Sequence, residues 1–278
     1  MKKLCLLMAL ILVCIPGYAL EKSKLVPHSL GSYVASASIE DVRDGLVLDY
    51  DFEGVLSALP RKVHDQSAGG YEGTVTGNAV RCNGPGALRG MKFDGSSGYI
   101  DTKSMFQPVF KGPNGGFTIS AWIRPVDGQP ASAGAICGSR ESVGTDDVVA
   151  LYLNTNGTIV CSYIANDNAI TATTGVTYKD GSPCRWVNAV FVVKQVSATN
   201  AQATIYIDGK LAATGASAAC VMNEFATPYT LYVGAYNSVG VLASVLNGDI
   251  ASCRIYNRVL TVSEIAQLYA YQRQEAGL

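Results

Sequence analysis

Residues 202–215 read QATIYIDGKLAATG, which is the pattern of a β-hairpin. Two arms rich in Thr, Ile and Ala flank the pair Asp208-Gly209. An Asp-Gly pair between two strand-like arms suits the type I′ turn that joins neighbouring antiparallel strands. The stretch therefore predicts antiparallel sheet in this part of the chain.

Short strand-like runs separated by turn residues continue on both sides of this hairpin. RGMKFDGSSGYIDT (89–102) has a Gly-rich break between two runs, and VVALYLNTNGTIVCSYI (148–164) is split at Asn156-Gly157. GGFTISAWIRP (115–125) is a strand that stops at its proline, and RWVNAVFVVK (185–194) is apolar on both faces, as expected of a central strand. Many short strands without alternating helices predict an all-β, two-sheet antiparallel sandwich of the jelly-roll type.

One helix is predicted, at the end of the chain, in TVSEIAQLYAYQRQ (261–274). Thr261 followed three residues later by Glu264 is a capping-box pattern. Ile265, Leu268 and Tyr269 have the i, i+3, i+4 spacing of one apolar helix face. The sandwich should therefore end in a short C-terminal helix.

Composition limits the possible partners. Of the 278 residues, 21 are basic and 22 acidic, so the formal net charge is −1, and charged residues make up only 15% of the chain. Such a chain has no excess of positive charge with which to bind nucleic acid or an anionic membrane, and neither is expected as a partner. A hydrophobic fraction of 48% and 29 glycines are typical of a globular, turn-rich protein.

The N-terminus has the pattern of a secretory signal peptide. MKK precedes the apolar run LCLLMALILVCI, and small residues before position 20 predict cleavage after Ala19. The run is too short to span a membrane. We therefore expect a signal peptide (1–19), a linker (20–44) and one jelly-roll domain (45–274), with the mature chain exported to the periplasm, the cell surface or the medium.

Export would place the remaining cysteines in an oxidising compartment, where disulfides form. They are even in number, and their spacing leaves all pairings, and free buried thiols, open. The six disulfide candidates are Cys82, Cys137, Cys161, Cys184, Cys220 and Cys253.

A second informative stretch is LVLDYDFEG (46–54), in which apolar and acidic residues alternate. On a strand, Leu48, Tyr50 and Phe52 would face the core and three carboxylates would face the other way. These acids either form a solvated face beside Arg254, Arg258 or Lys62 or gather a hard cation. The pattern leaves both possibilities open.

The chain resembles the laminin-G-like, concanavalin A-like jelly-roll domains of secreted bacterial proteins. The most specific matching motifs are FDGSSGYI (93–100), FTISAWI (117–123) and RIYNRVLTVSEI (254–265), and the resemblance covers nearly all of 45–271. It implies a β-sandwich that binds glycans or glycoproteins, often with a structural calcium ion at the sheet edge. A fold shared by lectins, adhesion modules and glycosidases does not by itself select one function.

The resemblance places the expected calcium between the first strand, the loop that follows it and the last strand. The candidate ligands are Asp51, Glu53, Asp65 and Asp249. The usual acid on the last strand is replaced by Ala251, and Asp249 lies two residues earlier on the same face. The alternative is that these acids face water or cap their own turns.

For a lectin, tyrosine rings on which a sugar can stack are the residues to find. Tyr163, Tyr178 and Tyr236 are the candidate ligand contacts, and strand packing is the alternative for each.

Enzyme signatures are missing from the sequence. It contains no Glu-x-Asp-x-x-Glu run of the related glucanases, no G-x-S-x-G, no H-E-x-x-H and no Walker motif. We therefore expect a secreted, non-catalytic module that binds carbohydrate or glycosylated surfaces. The alternatives are an adhesive envelope protein that makes protein–protein contacts and, less favoured, a glycoside hydrolase.

Overall fold

The computed structural model describes residues 40–53, 61–141, 146–179, 184–226 and 229–278. Within these ranges the chain forms nineteen strands, two α-helices and one 3₁₀-helix (Met222–Glu224). The strands are β1 Leu46–Tyr50, β2 Lys62–Val63, β3 Gly73–Thr76, β4 Val80–Asn83, β5 Arg89–Asp94, β6 Tyr99–Asp101, β7 Gly116–Pro125, β8 Gly134–Glu141, β9 Asp147–Leu153, β10 Thr158–Ala165, β11 Asn168–Val176, β12 Val187–Gln195, β13 Asn200–Ile207, β14 Lys210–Thr214, β15 Ala218–Ala219, β16 Tyr232–Val233, β17 Tyr236–Ser238, β18 Val241–Ala243 and β19 Asn247–Tyr256. The helices are α1 Gln107–Phe110 and α2 Val262–Ala276.

The strands form two sheets, as the sequence predicts. The first has the order β14-β13-β12-β7-β19-β5-β4, with β1 beside β19 and β15 beside β13. The second has the order β11-β10-β9-β8-β16-β6-β3-β2, with the β17-β18 pair beside β8. All the pairings are antiparallel except that of β17 with β8. The predicted jelly-roll sandwich with a C-terminal helix is confirmed.

Local sequence patterns explain several of these elements. Asp208 and Gly209 have φ angles of 50° and 74°, and a type I′ turn requires positive φ at both positions. They connect β13 to β14, where Ile207 is paired with Lys210. The run predicted as a central strand is β12, which lies between β7 and β13.

The core lies between the sheets and includes the apolar side of the first strand. Leu48, Tyr50 and Phe52 are at most 1% exposed, so the predicted inward face is confirmed. The strand itself ends at Tyr50, and Phe52 has a φ of 62°, which places it in a turn. Asp49, on the opposite side of β1, is only 1% exposed, so it is not the solvated acid that one alternative expected.

Helix α2 covers part of the outer face of the first sheet. Its capping box is present, since the Thr261 side chain accepts from the Glu264 backbone and Glu264 accepts from the Thr261 backbone. Ile265 and Leu268 of the helix form a second apolar cluster with Val190 of β12 and Tyr256 of β19. None of the helices in the described part of the chain combines the length and apolarity needed to cross a membrane.

The segment just before β1 also lies against the first sheet. The predicted signal peptide and residues 20–39 of the predicted linker lie outside the described residues, but residues 40–44 are described. Val42 is 6% exposed, and its carbonyl accepts a hydrogen bond from the Tyr256 hydroxyl (3.0 Å). Asp41 accepts a hydrogen bond from Arg254 of β19 (2.6 Å). These residues, predicted as linker, pack on the domain.

Candidate functional site

The outer face of the second sheet carries a trough whose floor is a row of small residues. Gly138 of β8, Ala150 of β9 and Ser162 of β10 are directly paired neighbours across the sheet. Val149 and Leu151 on either side of Ala150 are core residues, and side chains alternate along a strand, so Ala150 faces outward. The trough therefore crosses three strands on the outside of the sandwich.

Larger side chains in the adjacent rows form the walls of the trough. On β9, Tyr152 stands two residues after Ala150 and forms one wall of the trough. Val148 stands two residues before Ala150, and together with its paired neighbour Ile164 of β10 it forms the opposite wall. Arg140 and Asp146 line the same space. The trough encloses a volume of about 290 Å³, which is near the lower end for small-ligand sites.

Tyr236 reaches the trough because residue 138 is a glycine. Strand β17 runs parallel to β8, and Tyr236 is paired with Gly138. A Cβ atom at position 138 would clash with Cδ2 of the Tyr236 ring. The absence of a side chain at Gly138 therefore lets the aromatic ring lie over the backbone at the end of the floor.

The polar groups of the trough combine an ion pair with two phenols. Arg140 donates to both carboxylate oxygens of Asp146, from Nη2 to Oδ1 at 3.0 Å and to Oδ2 at 2.9 Å. Burial raises the pKa of Tyr152 and of Tyr236, so both hydroxyls stay protonated near neutral pH. The trough therefore offers aromatic faces for stacking and hydroxyl, guanidinium and carboxylate groups for hydrogen bonding.

Of the three tyrosines predicted to contact a ligand, Tyr236 lines the trough and the other two are core residues. Tyr163 is fully buried, and its hydroxyl donates to the Phe110 carbonyl at 2.7 Å. Tyr178 is 3% exposed, and its hydroxyl donates to the Ile123 carbonyl at 3.1 Å. Both predictions are corrected because these side chains face inward and their hydroxyl groups satisfy buried carbonyls.

Sequence reasoning missed the other polar residues of the trough, Arg140, Asp146 and Tyr152. The run VVALYL (148–153) did contain a signal for the tyrosine, since Tyr152 alternates with Leu151 and Leu153, which are both buried. Arg140 and Asp146 lie on either side of residues 142–145, which are outside the described residues.

The four predicted calcium ligands are not gathered into one site. Asp51 and Glu53 line a different cavity, beside Asp49 and Arg254. Asp249 pairs with Arg124, whose Nη2 is 2.6 Å from Oδ2. Within the described ranges, no group of three or more His, Cys, Asp or Glu side chains could hold a metal ion. Calcium binding by the chain stays a prediction, but this ligand set is not assembled.

Asp65 instead organises the turn between β2 and β3. Its carboxylate is buried and accepts hydrogen bonds from the backbone N–H groups of Asp49 (2.9 Å), Ser67 (2.9 Å) and Tyr71 (2.8 Å). These three bonds tie the turn to β1. The turn-capping alternative therefore describes Asp65.

Asp65→Ala should lower the free energy of unfolding by about 3 kcal/mol, because it leaves buried N–H groups without acceptors. Asp51→Ala should cost less than about 1 kcal/mol, since the hydrogen bond that Asp51 accepts among the described residues, from the Glu53 N–H, is exposed. Urea unfolding in EDTA and in calcium measures both. If the two variants instead lost equal stability, and only when calcium was present, the two carboxylates would share a metal site.

The structure shows no disulfide among Cys82, Cys137, Cys161, Cys220 and Cys253. Cys184 is half-buried and packs against the core. Burial raises the pKa of the Cys82 thiol to about 12, and the carboxylate of Asp249 beside it adds to this. Disulfide formation therefore stays a prediction for this chain.

Similar solved structures show the same fold in binding domains of other proteins. The binding domain of botulinum neurotoxin DC in complex with rat synaptotagmin II has a TM-score of 0.60 at 16% identity, over 82% of this chain and 52% of that one. The same domain in complex with SialylT gives 0.56 at 17% over 82% and 52%, and the binding domain of Paraclostridial Mosquitocidal Protein 1 gives 0.55 at 18% over 82% and 52%. At such identities the likeness is one of fold, and this chain spans about half the length of these structures.

No curated protein matches the chain. The model of a laminin-G-like family, described as the concanavalin A-like lectin/glucanases superfamily, matches residues 94–266. That range runs from the end of β5 to the first turn of α2 and contains β8, β9, β10 and β17, which build the trough. The chain therefore belongs to the laminin-G-like family of the concanavalin A-like lectin/glucanases superfamily.

Proposed function

We propose that this chain is a non-catalytic binding module that recognises carbohydrate in the trough on the second sheet. The observation that carries the proposal is the small-residue floor between Tyr152 and the Arg140–Asp146 ion pair. This arrangement presents one aromatic face and several hydrogen-bonding groups to a ligand of roughly the size of a sugar residue or two.

The chemistry of the trough suits a sugar better than a wholly apolar ligand. A pyranose ring can stack its C–H face on Tyr152 or Tyr236 while its hydroxyls bind polar groups at the rim. Arg140 has five N–H donors and Asp146 offers acceptor oxygens, so together they can serve vicinal hydroxyls. Their mutual ion pair keeps both charges compensated when no ligand is bound.

The absence of catalysis is part of the proposal. Glycoside hydrolysis uses two carboxyl groups on either side of the scissile bond. Among the described residues that line the trough, Asp146 is the single carboxylate, and Arg140 holds both of its oxygens. A binding role needs no second acid.

The comparisons support binding in a more general way. The superfamily is named for lectins and glucanases, and the three similar structures are binding domains, two of them of botulinum neurotoxin DC and one of those solved with SialylT. Export of the mature chain, which the N-terminal pattern MKKLCLLMAL predicts, would bring such a module to extracellular glycans.

A glycan array followed by titration calorimetry with the best-binding glycan tests the proposal. We expect Tyr152→Ala and Tyr236→Ala each to weaken binding roughly tenfold, the loss of about 1.4 kcal/mol of stacking. Tyr206→Ala serves as the matched control, because Tyr206 lies on β13 of the other sheet. A folded protein that gave no array signal would overturn carbohydrate recognition and favour the adhesive alternative, in which the partner is a protein.

A further inference from the structure

A cleft lies on the outer face of the first sheet, beside the C-terminal half of helix α2. Trp122 of β7, Trp186 just before β12 and Tyr269 of α2 line it. The chain has two tryptophans, and both are in this cleft. The cleft encloses about 440 Å³, which is within the range of small-ligand sites. It lies on the opposite side of the sandwich from the trough.

The aromatic rings of the cleft are held between the sheet and the helix. The Trp122 and Tyr269 rings are stacked, with centroids 5.7 Å apart and an angle of 18° between their planes. The Trp122 Nε1 also donates to Oε1 of the buried Gln272 at 2.8 Å, which fixes the indole to α2. Trp122 is 2% exposed, whereas Trp186 and Tyr269 are half-buried. Trp186 and Tyr269 are therefore the rings that a ligand can reach.

The charged side chains of the cleft leave one arginine without an acidic partner. Arg185 donates from Nη1 to Oδ2 of Asp208 at 2.6 Å, and Oδ1 of Asp208 accepts from the Asn188 N–H at 3.0 Å. Arg273 also lines the cleft and is exposed. Among the described residues, Arg273 takes part in no ion pair. Its guanidinium is therefore available to an anionic ligand.

Two ordinary roles of Arg273 do not account for the cleft. A cation in the last turn of a helix interacts favourably with the helix dipole, and Arg273 lies in the last turn of α2. Its guanidinium carbon is also 5.7 Å from the centroid of the Tyr269 ring, which is a cation–π contact. Neither role involves Trp186 or the open cleft that both residues line. A ligand site would use the charge and both reachable rings.

We propose that this cleft is a second binding site, which takes a uronic acid residue of an acidic oligosaccharide. The sugar ring stacks on Trp186 or Tyr269, and the guanidinium of Arg273 binds the sugar carboxylate through two parallel hydrogen bonds. A neutral sugar would leave Arg273 unused, and a small inorganic anion would leave the aromatic rings unused. A carboxylated sugar uses both. Because the cleft and the trough lie on opposite faces, the site does not depend on glycan binding in the trough.

Tryptophan fluorescence of the full chain tests the proposal, because both tryptophans line the cleft and neither lines the trough. The probe is digalacturonic acid, and the matched comparison is its methyl ester, which keeps the sugar rings but removes their charges. We expect a saturable fluorescence change with the acid and binding of the ester that is at least about tenfold weaker. Raising the salt concentration from about 0.05 to about 0.5 M should weaken binding of the acid.

Two variants separate a specific carboxylate contact from general attraction of anions. Arg273→Gln should weaken binding of the acid about tenfold and leave binding of the ester unchanged. Lys194→Gln removes one exposed positive charge at the far end of β12 from Trp186 and should change neither.

Three results would overturn the proposal. The first is the lack of any fluorescence change with the acid. The second is equal binding of acid and ester, or equal effects of Arg273→Gln and Lys194→Gln on binding of the acid. The third is inorganic phosphate binding in the cleft as tightly as the acid, since the site would then hold an anion without a sugar. Each of these leaves the trough untested, because binding there is measured with the array glycan and Tyr152→Ala.

Discussion

Replacing Arg254 by leucine should lower the free energy of unfolding by about 3–5 kcal/mol, the cost of leaving a buried charge without its partner. The Arg254 side chain is 8% exposed. Its Nε donates to Asp49 at 2.9 Å and its Nη1 to Asp41 at 2.6 Å. Leucine would fill part of the space but would leave the Asp49 carboxylate, whose side chain is 2% exposed, without a buried cation.

The same variant should show a particular dependence on pH. Burial raises the pKa of Asp49 even with Arg254 present, and removal of the guanidinium would raise it further. When the pKa of a carboxyl is higher in the folded than in the unfolded state, its ionised form is disfavoured by folding. The acid therefore lowers the free energy of unfolding at pH values above its folded-state pKa. As the pH falls through this value the acid becomes neutral, so the difference between wild type and Arg254→Leu should shrink in acid.

Urea unfolding at several pH values measures both effects, and Arg43→Leu is the matched control. Arg43 contacts the same two aspartates, but its side chain is 50% exposed, so its loss should cost less than about 1 kcal/mol. Asp49→Asn introduced into Arg254→Leu should restore part of the stability. Equal losses for the two arginine variants would contradict the argument that burial makes Arg254 essential.

The sequence was most informative where the determining contacts are local. The turn at Asp208-Gly209 and the capping box at Thr261 each depend on neighbours within four residues, and both were predicted correctly. The inward face of the first strand followed from alternation alone. Such patterns require no knowledge of which strands become neighbours.

The predictions failed where a side chain depends on a partner far along the chain. Asp49 was expected to be either a cation ligand or a solvated acid beside Arg254, Arg258 or Lys62. Arg254, 205 positions away, is its partner, but the carboxylate is buried and not solvated. The same limit explains the tyrosines. Tyr163 and Tyr236 both lie on strands, and which one reaches the surface depends on strand pairing and on Gly138.

The floor of the trough could not be predicted for the same reason. Gly138, Ala150 and Ser162 are unremarkable in the sequence, and they become a depression only because three strands bring them into one row. A one-residue slip in either pairing would turn core residues outward and remove the row. The geometry of the candidate site is therefore a property of strand register.

Ala150→Trp should abolish glycan binding, with affinity falling at least about 100-fold, because the indole would occupy the floor between Tyr152 and the Arg140–Asp146 pair. Ala150 is only 5% exposed but lies at the bottom of the trough and outside the core between the sheets. The indole should therefore extend into the trough and lower the free energy of unfolding by about 1–3 kcal/mol, the cost of local overpacking. Calorimetry with the glycan identified on the array and urea unfolding measure the two quantities. Ala212→Trp places the same side chain on exposed β14 of the first sheet and should leave binding unchanged. Undiminished binding by a folded Ala150→Trp protein would exclude the trough as the binding site, even if the chain binds glycans elsewhere.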